Sequence, residues 1–393
     1  MAHRASKLAV GIVSLLMPLS LVAGAQAQSP TTSEAAAAAL GPGEGAAFAM
    51  TNATRNNQIV SYRRAADGSL TRVGSVSTRG AGIGVDLDTQ GPLRLSSDHR
   101  FLYAVNAGTD DVSVFAVDGT NLTFVQKVYA GDEPVSLTIN GNLLYVLDGS
   151  VAGNGITGFT RNADGTLSAI PNSFRALSSP IAVPGQVEFS PDGRLLVVTE
   201  KTTNTLLTPA NALDVFQVDA AGVPSVTPRR NASTGLRPFS VAFRNNNQLL
   251  VVESFNAAES LSAVSSYLVS GAGAFVPVSR SVANQQTDSC WVVITDDGRY
   301  AFTANFGSGT ISSYRINASG RIQLVEGNAA FTGSDSQPVD LALSADSHYL
   351  YLLLRGTGAV ASFEIGSDGS LSPLGVVSGG LPVANGASGL AVY

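Results

Sequence analysis

Apolar strands alternate with polar turns along most of this chain, and one such unit runs from Val187 to Glu200 as VEFSPDGRLLVVTE. The first apolar stretch leads into Ser-Pro-Asp-Gly, and the second ends on a carboxylate. Pro, Asp, Ser and Gly supply the backbone angles that a tight turn needs. The pattern predicts two antiparallel strands. It leaves open whether Glu200 is a catalytic group or only the polar end of a strand.

The same unit recurs in five further places along the chain. The last apolar residues before the turns are Leu95, Ile139, Phe189, Phe243, Ile294 and Leu343, which are 44, 50, 54, 51 and 49 residues apart. Each unit is followed by a third strand, a Gly-containing hairpin turn and a fourth strand. A period of about 40–50 residues built from short strands is typical of propeller blades. We expect these six apolar side chains to be buried between blades.

The two ends of the chain complete one blade. GASGLAVY, residues 386–393, matches a first strand, and GPGEGAAFAMTN, residues 41–52, matches a turn and a second strand. Pairing them removes two exposed sheet edges. The sequence therefore predicts an all-β fold, a seven-bladed β-propeller of four-stranded antiparallel blades that spans residues 45–393. Its ring would be closed by N- and C-terminal strands that share one blade.

The first 44 residues differ from the repeat. MAHRASK is basic, LAVGIVSLLMPLSLVAGA is apolar, and AQA has the small-x-small form that signal peptidase needs. We interpret residues 1–27 as a signal peptide and 28–44 as a flexible lead-in. A membrane anchor is the alternative, but Pro18 and the AQA site argue against it. The protein is expected to be secreted or periplasmic in a bacterium.

Charge, hydropathy and cysteine content limit the partners, membrane spans and disulfides that can be expected. The net charge is −6, and no run of Lys and Arg is visible, so nucleic acid and other polyanions are not expected as partners. After the signal peptide no stretch approaches the roughly 20 apolar residues of a membrane span. Cys290 is the only cysteine, which excludes an intrachain disulfide. Its apolar surroundings favour a core residue over a nucleophile. A monomer is expected.

SPDGRLLVVTE, together with hairpins of the ADGTL type, resembles the seven-bladed lactonase propellers, which include 6-phosphogluconolactonase and carboxymuconate-cyclase relatives. The resemblance covers nearly all of residues 45–393. It implies the propeller fold and a small lactone or sugar-acid-like ligand. The family tends to end this strand in Asn-Glu, and Glu200 keeps the Glu. Pro184, Gly185 and Gln186 stand where the family tends to have Pro-Arg-His, so the Arg and the His are both absent.

Residues at the ends of the second strands should converge on one mouth of the central channel. Aligning the blades gives a ring of Asn52, Asn106, Asp148, Glu200, Ser254, Asn305 and Leu354. The predicted catalytic residues are Glu200 as general base and Arg237 as the cation for an oxyanion. The predicted substrate-binding residues are Gln186, Asp148, Asn106, Asn305 and Asp288. Most of the ring also fits a structural role in turns, and Arg237 fits a solvated loop residue.

Two functions fit these observations. The first is a secreted lactonase-like hydrolase or isomerase that acts on a small anionic lactone at the channel mouth. The alternative is a non-catalytic propeller that binds a ligand or a protein there, since the fold hosts both classes. No cofactor is expected. No metal site is expected either, because Asp132, Glu133 and Asp288 lack a ligand spacing that specifies a cation.

Overall fold

Strands make up nearly all of the regular structure. The computed structural model describes residues 40–151, 153–202, 209–244 and 247–393. The predicted signal peptide, residues 1–27, lies outside the described residues, as does the lead-in up to residue 39. At the end of the lead-in, Glu44 forms an ion pair with Arg63 at 2.5 Å, so this end lies against the first blade. Within the described ranges, no helix is long and apolar enough to span a membrane.

The strands have the following bounds in chain order. The first fourteen are β1 (Gly45–Met50), β2 (Gln58–Arg64), β3 (Leu70–Ser77), β4 (Leu93–Leu95), β5 (Phe101–Asn106), β6 (Asp111–Asp118), β7 (Asn121–Tyr129), β8 (Pro134–Asn140), β9 (Leu143–Asp148), β10 (Gly155–Arg161), β11 (Leu167–Ala169), β12 (Arg175–Ala176), β13 (Pro184–Phe189) and β14 (Leu195–Thr202). The others are β15 (Pro209–Gln217), β16 (Arg229–Ala232), β17 (Pro238–Phe243), β18 (Gln248–Glu253), β19 (Ala263–Val269), β20 (Phe275–Ala283), β21 (Ser289–Ile294), β22 (Tyr300–Asn305), β23 (Thr310–Ile316), β24 (Ile322–Phe331), β25 (Pro338–Leu343), β26 (Tyr349–Leu354), β27 (Ala359–Ile365), β28 (Leu371–Ser378) and β29 (Ser388–Val392). A single 3-10 turn, Phe255–Ala257, follows β18.

These strands form seven antiparallel sheets, the blades. Blade 1 has the order β29-β1-β2-β3, blade 2 is β4-β5-β6-β7, and blades 4 to 7 begin with β13, β17, β21 and β25. In blade 3 the outer strand is split into β11 and β12, which both pair with β10. The innermost strands of successive blades pack against each other in a closed ring. The predicted seven-bladed propeller is confirmed.

Strands from both ends of the chain close the ring, as predicted. β29 pairs with β1, with Ala47 opposite Val392 and Met50 opposite Ser388. Arg64 Nε donates to the carbonyl of Tyr393 at 2.9 Å, and the Tyr393 hydroxyl donates to Gly119 O of blade 2 at 3.0 Å. The last residues of the chain therefore hold blade 1 together and also join it to blade 2.

Tyrosines in second strands join neighbouring blades at the end of the propeller that carries the hairpin turns. The hydroxyl of Tyr103 donates to Gly165 O, and that of Tyr351 donates to Gly68 O, in each case in the hairpin turn of the next blade. Gly165 has φ +84°, and a Cβ there would lie 2.1 Å from the ring of Phe101. Glycine is therefore required by both the turn and the packing.

The six apolar residues before the turns are not all buried. Phe189 is buried, but Leu95, Ile139, Phe243, Ile294 and Leu343 are only partly buried. They pack against the edge of the core, and all except Leu95 line an open cavity of about 360 Å³ at the end of the channel. The expectation of burial was therefore wrong for five of the six, because the strand ends at the channel opening face solvent.

Removal of residues 386–393 should abolish cooperative unfolding, because it deletes β29 and leaves the edges of β1 and β4 unpaired. Differential scanning calorimetry would measure the transition. Val376→Ala, an exposed position on the outermost strand of blade 7, is the matched control and should melt like the parent protein. A truncated protein with the parent's single sharp transition would contradict the role of the closing strand.

Candidate functional site

Two ends of the central channel have to be distinguished. The loop mouth carries the connections from each fourth strand to the next first strand and from second to third strands. The turn mouth carries the tight turns between first and second strands, including His99 and His348. The predicted site lies at the loop mouth.

Residues 78–92, between β3 and β4, form a segment that we call the channel loop. The Gln90 side chain donates from Nε2 to Val292 O at 3.0 Å and accepts from Val292 N at 2.9 Å. Gln90 N also donates to Gly185 O at 3.1 Å, and the Trp291 indole donates to Thr89 O at 3.0 Å. These bonds tie a loop that enters blade 2 to the inner strands of blades 4 and 6. The channel loop therefore crosses the channel and separates the two mouths.

Charged side chains gather around the channel loop at the loop mouth. Asp88 Oδ2 accepts from Lys201 Nζ at 2.5 Å and from Arg237 Nη2 at 3.1 Å. Arg237 Nη1 lies 3.4 Å from Asp288 Oδ1. Arg355 Nη1 lies 3.4 Å from Asp86 Oδ2. We call these six residues, Asp86, Asp88, Lys201, Arg237, Asp288 and Arg355, the mouth cluster.

Aromatic rings support the cations of the mouth cluster. Lys201 Nζ lies 4.8 Å from the ring centroid of Phe239, and Arg355 lies 4.9 Å from that of Phe306. The Lys201 side chain is 1% exposed, whereas that of Asp88 is 40% exposed. The cations are therefore fixed in the wall, and Asp88 is the more accessible partner. Cations over aromatic faces are stabilised further when they are desolvated.

Strand register explains which side chains reach the mouth. Glu200 lies opposite Pro184, Glu253 opposite Pro238, and Leu354 opposite Pro338. Successive side chains on a strand point to opposite faces. The residues one position further, among them Lys201 and Arg355, therefore reach the mouth cluster.

The predicted ring needs two corrections. Its member in blade 5 is Glu253 rather than Ser254, and its member in blade 1 is Thr51 rather than Asn52, since the strand pairings place those residues at the equivalent register. Glu200 is consequently not the only Glu of the ring. Ser254 comes one residue after the ring, and its hydroxyl lies 3.4 Å from Arg237 Nη1.

Ring residues hold the loop that arrives from the preceding blade. Asn106 Oδ1 accepts from Asn57 Nδ2 at 2.9 Å and from Thr78 Oγ1 at 2.7 Å. Asn305 Oδ1 accepts from Asn284 Nδ2 at 3.2 Å. Two other members accept in the same way: Asp148 from Asp132 N, and Glu253 from Ser233, Thr234 and Gly235. We call these contacts the blade clasps.

Glu200 forms the blade clasp of blade 4. Its Oε1 accepts from Ser178 Oγ at 3.2 Å and from Ser179 N at 3.1 Å, and the residue is 0% exposed. Among the described residues, its Oε2 and Oδ1 of the buried Asp214 lack a hydrogen bond of good geometry. Burial and the charge of Asp214 raise the pKa of Glu200 to about 7. Burial also raises the pKa of Asp214.

The residues predicted from the sequence thus fall into two groups. Arg237 and Asp288 meet in the mouth cluster. Asn106, Asp148, Asn305 and Glu200 serve in blade clasps, and among the described residues Glu200 makes no ion pair with Arg237. Gln186 lies in the channel wall, where it donates to Glu188 Oε2 at 2.8 Å and accepts from Val241 N at 2.8 Å.

Asp86, Asp88, Lys201 and Arg355 were missed by the sequence analysis. For Lys201 and Arg355 a signal existed, since both come one residue after the predicted ring. A feature that only the structure shows lies before the inner strands, where Glu133, Arg237, Asp288 and Gln337 have φ of 60°, 53°, 55° and 46°. Left-handed backbone at non-glycine residues is uncommon and clusters at functional sites. Asp88 depends on the path of the channel loop, for which the repeat gives no template.

In the part of the chain that the structure describes, no three His, Cys, Asp or Glu side chains are grouped so as to hold a metal ion. Cys290 is buried, and burial together with Asp288 raises the pKa of its thiol, so it is not an activated nucleophile.

Glu200→Gln should remove part of the pH dependence of stability. The pKa of Glu200 is raised in the folded state, so its contribution is complete below about pH 4.5 and is lost as the pH rises through about 7. Above pH 7 the variant should exceed the parent in unfolding free energy by about 1–3 kcal/mol. Urea unfolding between about pH 5 and 8 measures this. Glu364→Gln, which is exposed, is the control, and equal pH profiles for parent and Glu200→Gln would refute the assignment.

Comparisons with known proteins agree with the fold. The chain matches the model of a family described as lactonase, 7-bladed beta-propeller, over residues 38–184 and 241–340. Comparison with curated proteins finds no match. The periplasmic gluconolactonase of Pseudomonas aeruginosa is similar in structure, with a TM-score of 0.64 and 19% identity over 89% of this chain and 99% of that one.

Two further structures are similar, and both are candidate 6-phosphogluconolactonases. That of Bacteroides uniformis has a TM-score of 0.68 and 17% identity over 88% of this chain and 100% of its own. That of Bacteroides fragilis has a TM-score of 0.65 and 18% identity over 90% and 98%. At such identities the likeness shows the fold alone.

The family match omits residues 185–240, which include Glu200, Lys201 and Arg237. It also omits residues 341–393, which include Arg355, so all three cations of the mouth cluster lie outside the matched ranges. Sheet topology, ring closure and the family match over residues 38–184 and 241–340 lead to one conclusion: this chain belongs to the lactonase family of seven-bladed β-propellers.

Proposed function

We propose that this protein is an exported lactonase-like hydrolase that acts on a small anionic lactone at the loop mouth. One observation carries the proposal: Lys201 and Arg237 converge on a single carboxylate, that of Asp88. Two fixed cations that share one carboxylate form a site to which a ligand carboxylate or an oxyanion can bind. Family membership supports lactone chemistry, and the sequence of residues 1–27 supports export.

The proposed reaction is hydrolysis of the ring ester. Asp288 removes a proton from a water molecule, which attacks the lactone carbonyl carbon. Arg237, which already contacts Asp288, stabilises the negative charge that develops on the carbonyl oxygen. The ring C–O bond then breaks, and the protonated Asp288 returns its proton to the leaving alkoxide. The product is a hydroxy acid.

Asp288 is chosen as general base because it contacts Arg237, the cation assigned to the oxyanion. Burial raises its pKa, as it does that of Asp86, which brings a carboxylate closer to the range in which it exchanges protons at neutral pH. Asp86 is paired with Arg355, and Asp88 bridges Lys201 and Arg237. In this proposal Lys201 binds the ligand's carboxylate, and in the absence of ligand the carboxylate of Asp88 occupies that position.

Glu200 as general base stays a prediction. Its raised pKa fits that role, but its hydrogen bonds to Ser178 and Ser179 fit the blade clasp of blade 4. Substrate binding also stays a prediction for four further residues, because each of their side chains has a structural partner: Gln186, Asn106, Asp148 and Asn305. The mouth cluster needs none of them for the reaction above.

A second candidate function is anion binding without chemistry. It is favoured by the ion pairs of the mouth cluster, because Asp86, Asp88 and Asp288 each already contact an arginine or lysine. The paired cation opposes protonation of each carboxylate, although burial outweighs this effect and raises the pKa of Asp86 and Asp288. Turnover measurements separate the two functions.

Arg237→Gln and Lys201→Met should each lower kcat/KM for lactone hydrolysis by about 10²-fold or more, as expected when a preorganised cation is lost from a site of developing charge. The assay is hydroxy-acid release from a panel of aldonolactones and anionic lactones. Arg229→Gln, an exposed arginine on blade 4, is the control and should keep parental rates.

Two further variants identify the base. Asp288→Asn should lose turnover, while Glu200→Gln should keep it; the reverse result would return the role to Glu200. If the purified protein hydrolyses no lactone of the panel but binds one of them, the anion-binding function replaces the enzyme.

Asp88→Asn should raise the affinity for anionic ligands, because it removes the internal carboxylate that competes for Lys201 and Arg237. We expect Kd for a sugar-acid product to fall by about tenfold, the scale of one charge-assisted hydrogen bond. Isothermal titration calorimetry would measure it, with Asp335→Asn as the exposed control. Unchanged or weaker binding would show that Asp88 does not compete with the ligand.

A further inference from the structure

Four arginines line one cavity on the face opposite the proposed active site. The cavity has a volume of about 520 Å³ and is bordered by Arg244, Arg299, Arg315 and Arg321. Arg244 follows the first strand of blade 5, and the others come from turns and strand ends of blade 6. These segments all lie on the side of the turn mouth. We call this cavity the arginine pocket.

Most of the positive charge in the arginine pocket is uncompensated. Arg299 pairs with Asp297 at 2.6 Å. Across the described ranges, Arg244, Arg315 and Arg321 make no ion pair with a carboxylate. The whole chain has a net charge of −6, so three unpaired cations in one concave site run against its overall charge. Such a concentration raises the local concentration of anions.

Arg244 is held in place by both blades. Its Nη1 donates to Gln248 Oε1 at 2.9 Å and to the carbonyl of Asn317 at 2.8 Å. Gly298, with φ +64°, leaves the space that Arg244 occupies, since a Cβ there would lie 2.4 Å from Arg244 Nε. The guanidinium of Arg244 is therefore preorganised at the boundary between blades 5 and 6, which lowers the entropic cost of binding a ligand.

The hairpin between β23 and β24 supplies two more guanidinium groups. Arg315 lies opposite Gln323 in this hairpin, and Arg321 immediately precedes β24. Both side chains are exposed, so they can close on a ligand without breaking an ion pair. Gln323 also lines the pocket and adds a neutral hydrogen-bonding group.

The geometry points to a binding site for a small, multiply charged anion of the phosphate type. Guanidinium groups bind phosphate oxygens through paired hydrogen bonds, and three unpaired arginines match a ligand with several negative charges. The volume lies in the range of small-molecule sites, and the concave shape favours a compact ligand over a polymer. A second site on this face would be independent of the lactone chemistry.

Polyanionic partners are not expected from the sequence because no run of Lys and Arg is visible. The arginine pocket contains no such run. Its members are 55, 16 and 6 residues apart in the chain, and the propeller brings them together at one blade boundary. A charge cluster in a repeat fold is thus invisible to a search for consecutive basic residues.

Isothermal titration calorimetry with inorganic tripolyphosphate tests the site. At an ionic strength of about 0.05 M we expect one saturable site, with binding that weakens as salt is added. Arg315→Gln and Arg321→Gln should each raise Kd by about tenfold, the scale of losing one charge-assisted contact. Arg280→Gln, an exposed arginine elsewhere on blade 5, is the matched control and should bind like the parent. Equal melting temperatures would show that the variants fold.

Three results would overturn the proposal. The first is no saturable binding of tripolyphosphate by the parent protein. The second is an equal loss of affinity in Arg280→Gln, which would indicate general charge attraction. The third is tight binding of several copies to one heparin chain with weak binding of tripolyphosphate, which would assign the surface to a polymer. Lactone turnover is not a readout here, so failure of this site leaves the proposed function untouched.

Discussion

The blade clasps are the interaction on which the rest of this structure depends. In blades 3, 4 and 5 the loop that enters the blade carries a backbone N–H group into the clasp, and a buried donor without a partner costs about 1–3 kcal/mol. A polar side chain at the end of the second strand supplies the acceptor, as Glu200 does for Ser179 N and Glu253 for Gly235 N. Side chains of different length serve the same purpose. The clasp position therefore selects for acceptors that reach the loop, and its chemistry alone does not indicate catalysis.

The channel loop decides where chemistry can occur. Because Gln90 bonds to Val292 across the channel, the channel loop lies between the loop mouth and the cavity at the turn mouth. The balance of charge also differs between the two faces. The mouth cluster balances its cations with aspartates, whereas the arginine pocket on the other face leaves three cations unpaired. The mouth cluster, with three cations and three carboxylates, is thus formally neutral, whereas the arginine pocket has an excess of positive charge.

The sequence predicts the fold well and the site only in part, for a physical reason. Blades, hairpins and ring closure follow from a periodicity to which many residues contribute. A wrong assignment at one position therefore does not change the predicted fold. The site depends on which way one side chain points. A shift of one residue on a strand turns a side chain to the other face, and this separates Glu200 in its clasp from Lys201 at the mouth. Arg237 and Asp288 were found because they stand in connections, whereas Asp88 was missed because its place is set by contacts with distant blades.

The pairing of β1 with β29 also has a consequence for the order of events during synthesis. Ala47 leaves the ribosome early, but its partner Val392 is made more than three hundred residues later. Until then the nascent chain can fold six blades while the β1 edge, which includes Phe48 and Met50, remains open. Contacts of such sequence separation form slowly, and open apolar edges associate with other chains. Ring closure therefore depends on the last residues of the chain to be made, and until they are present the apolar edge of β1 is unpaired.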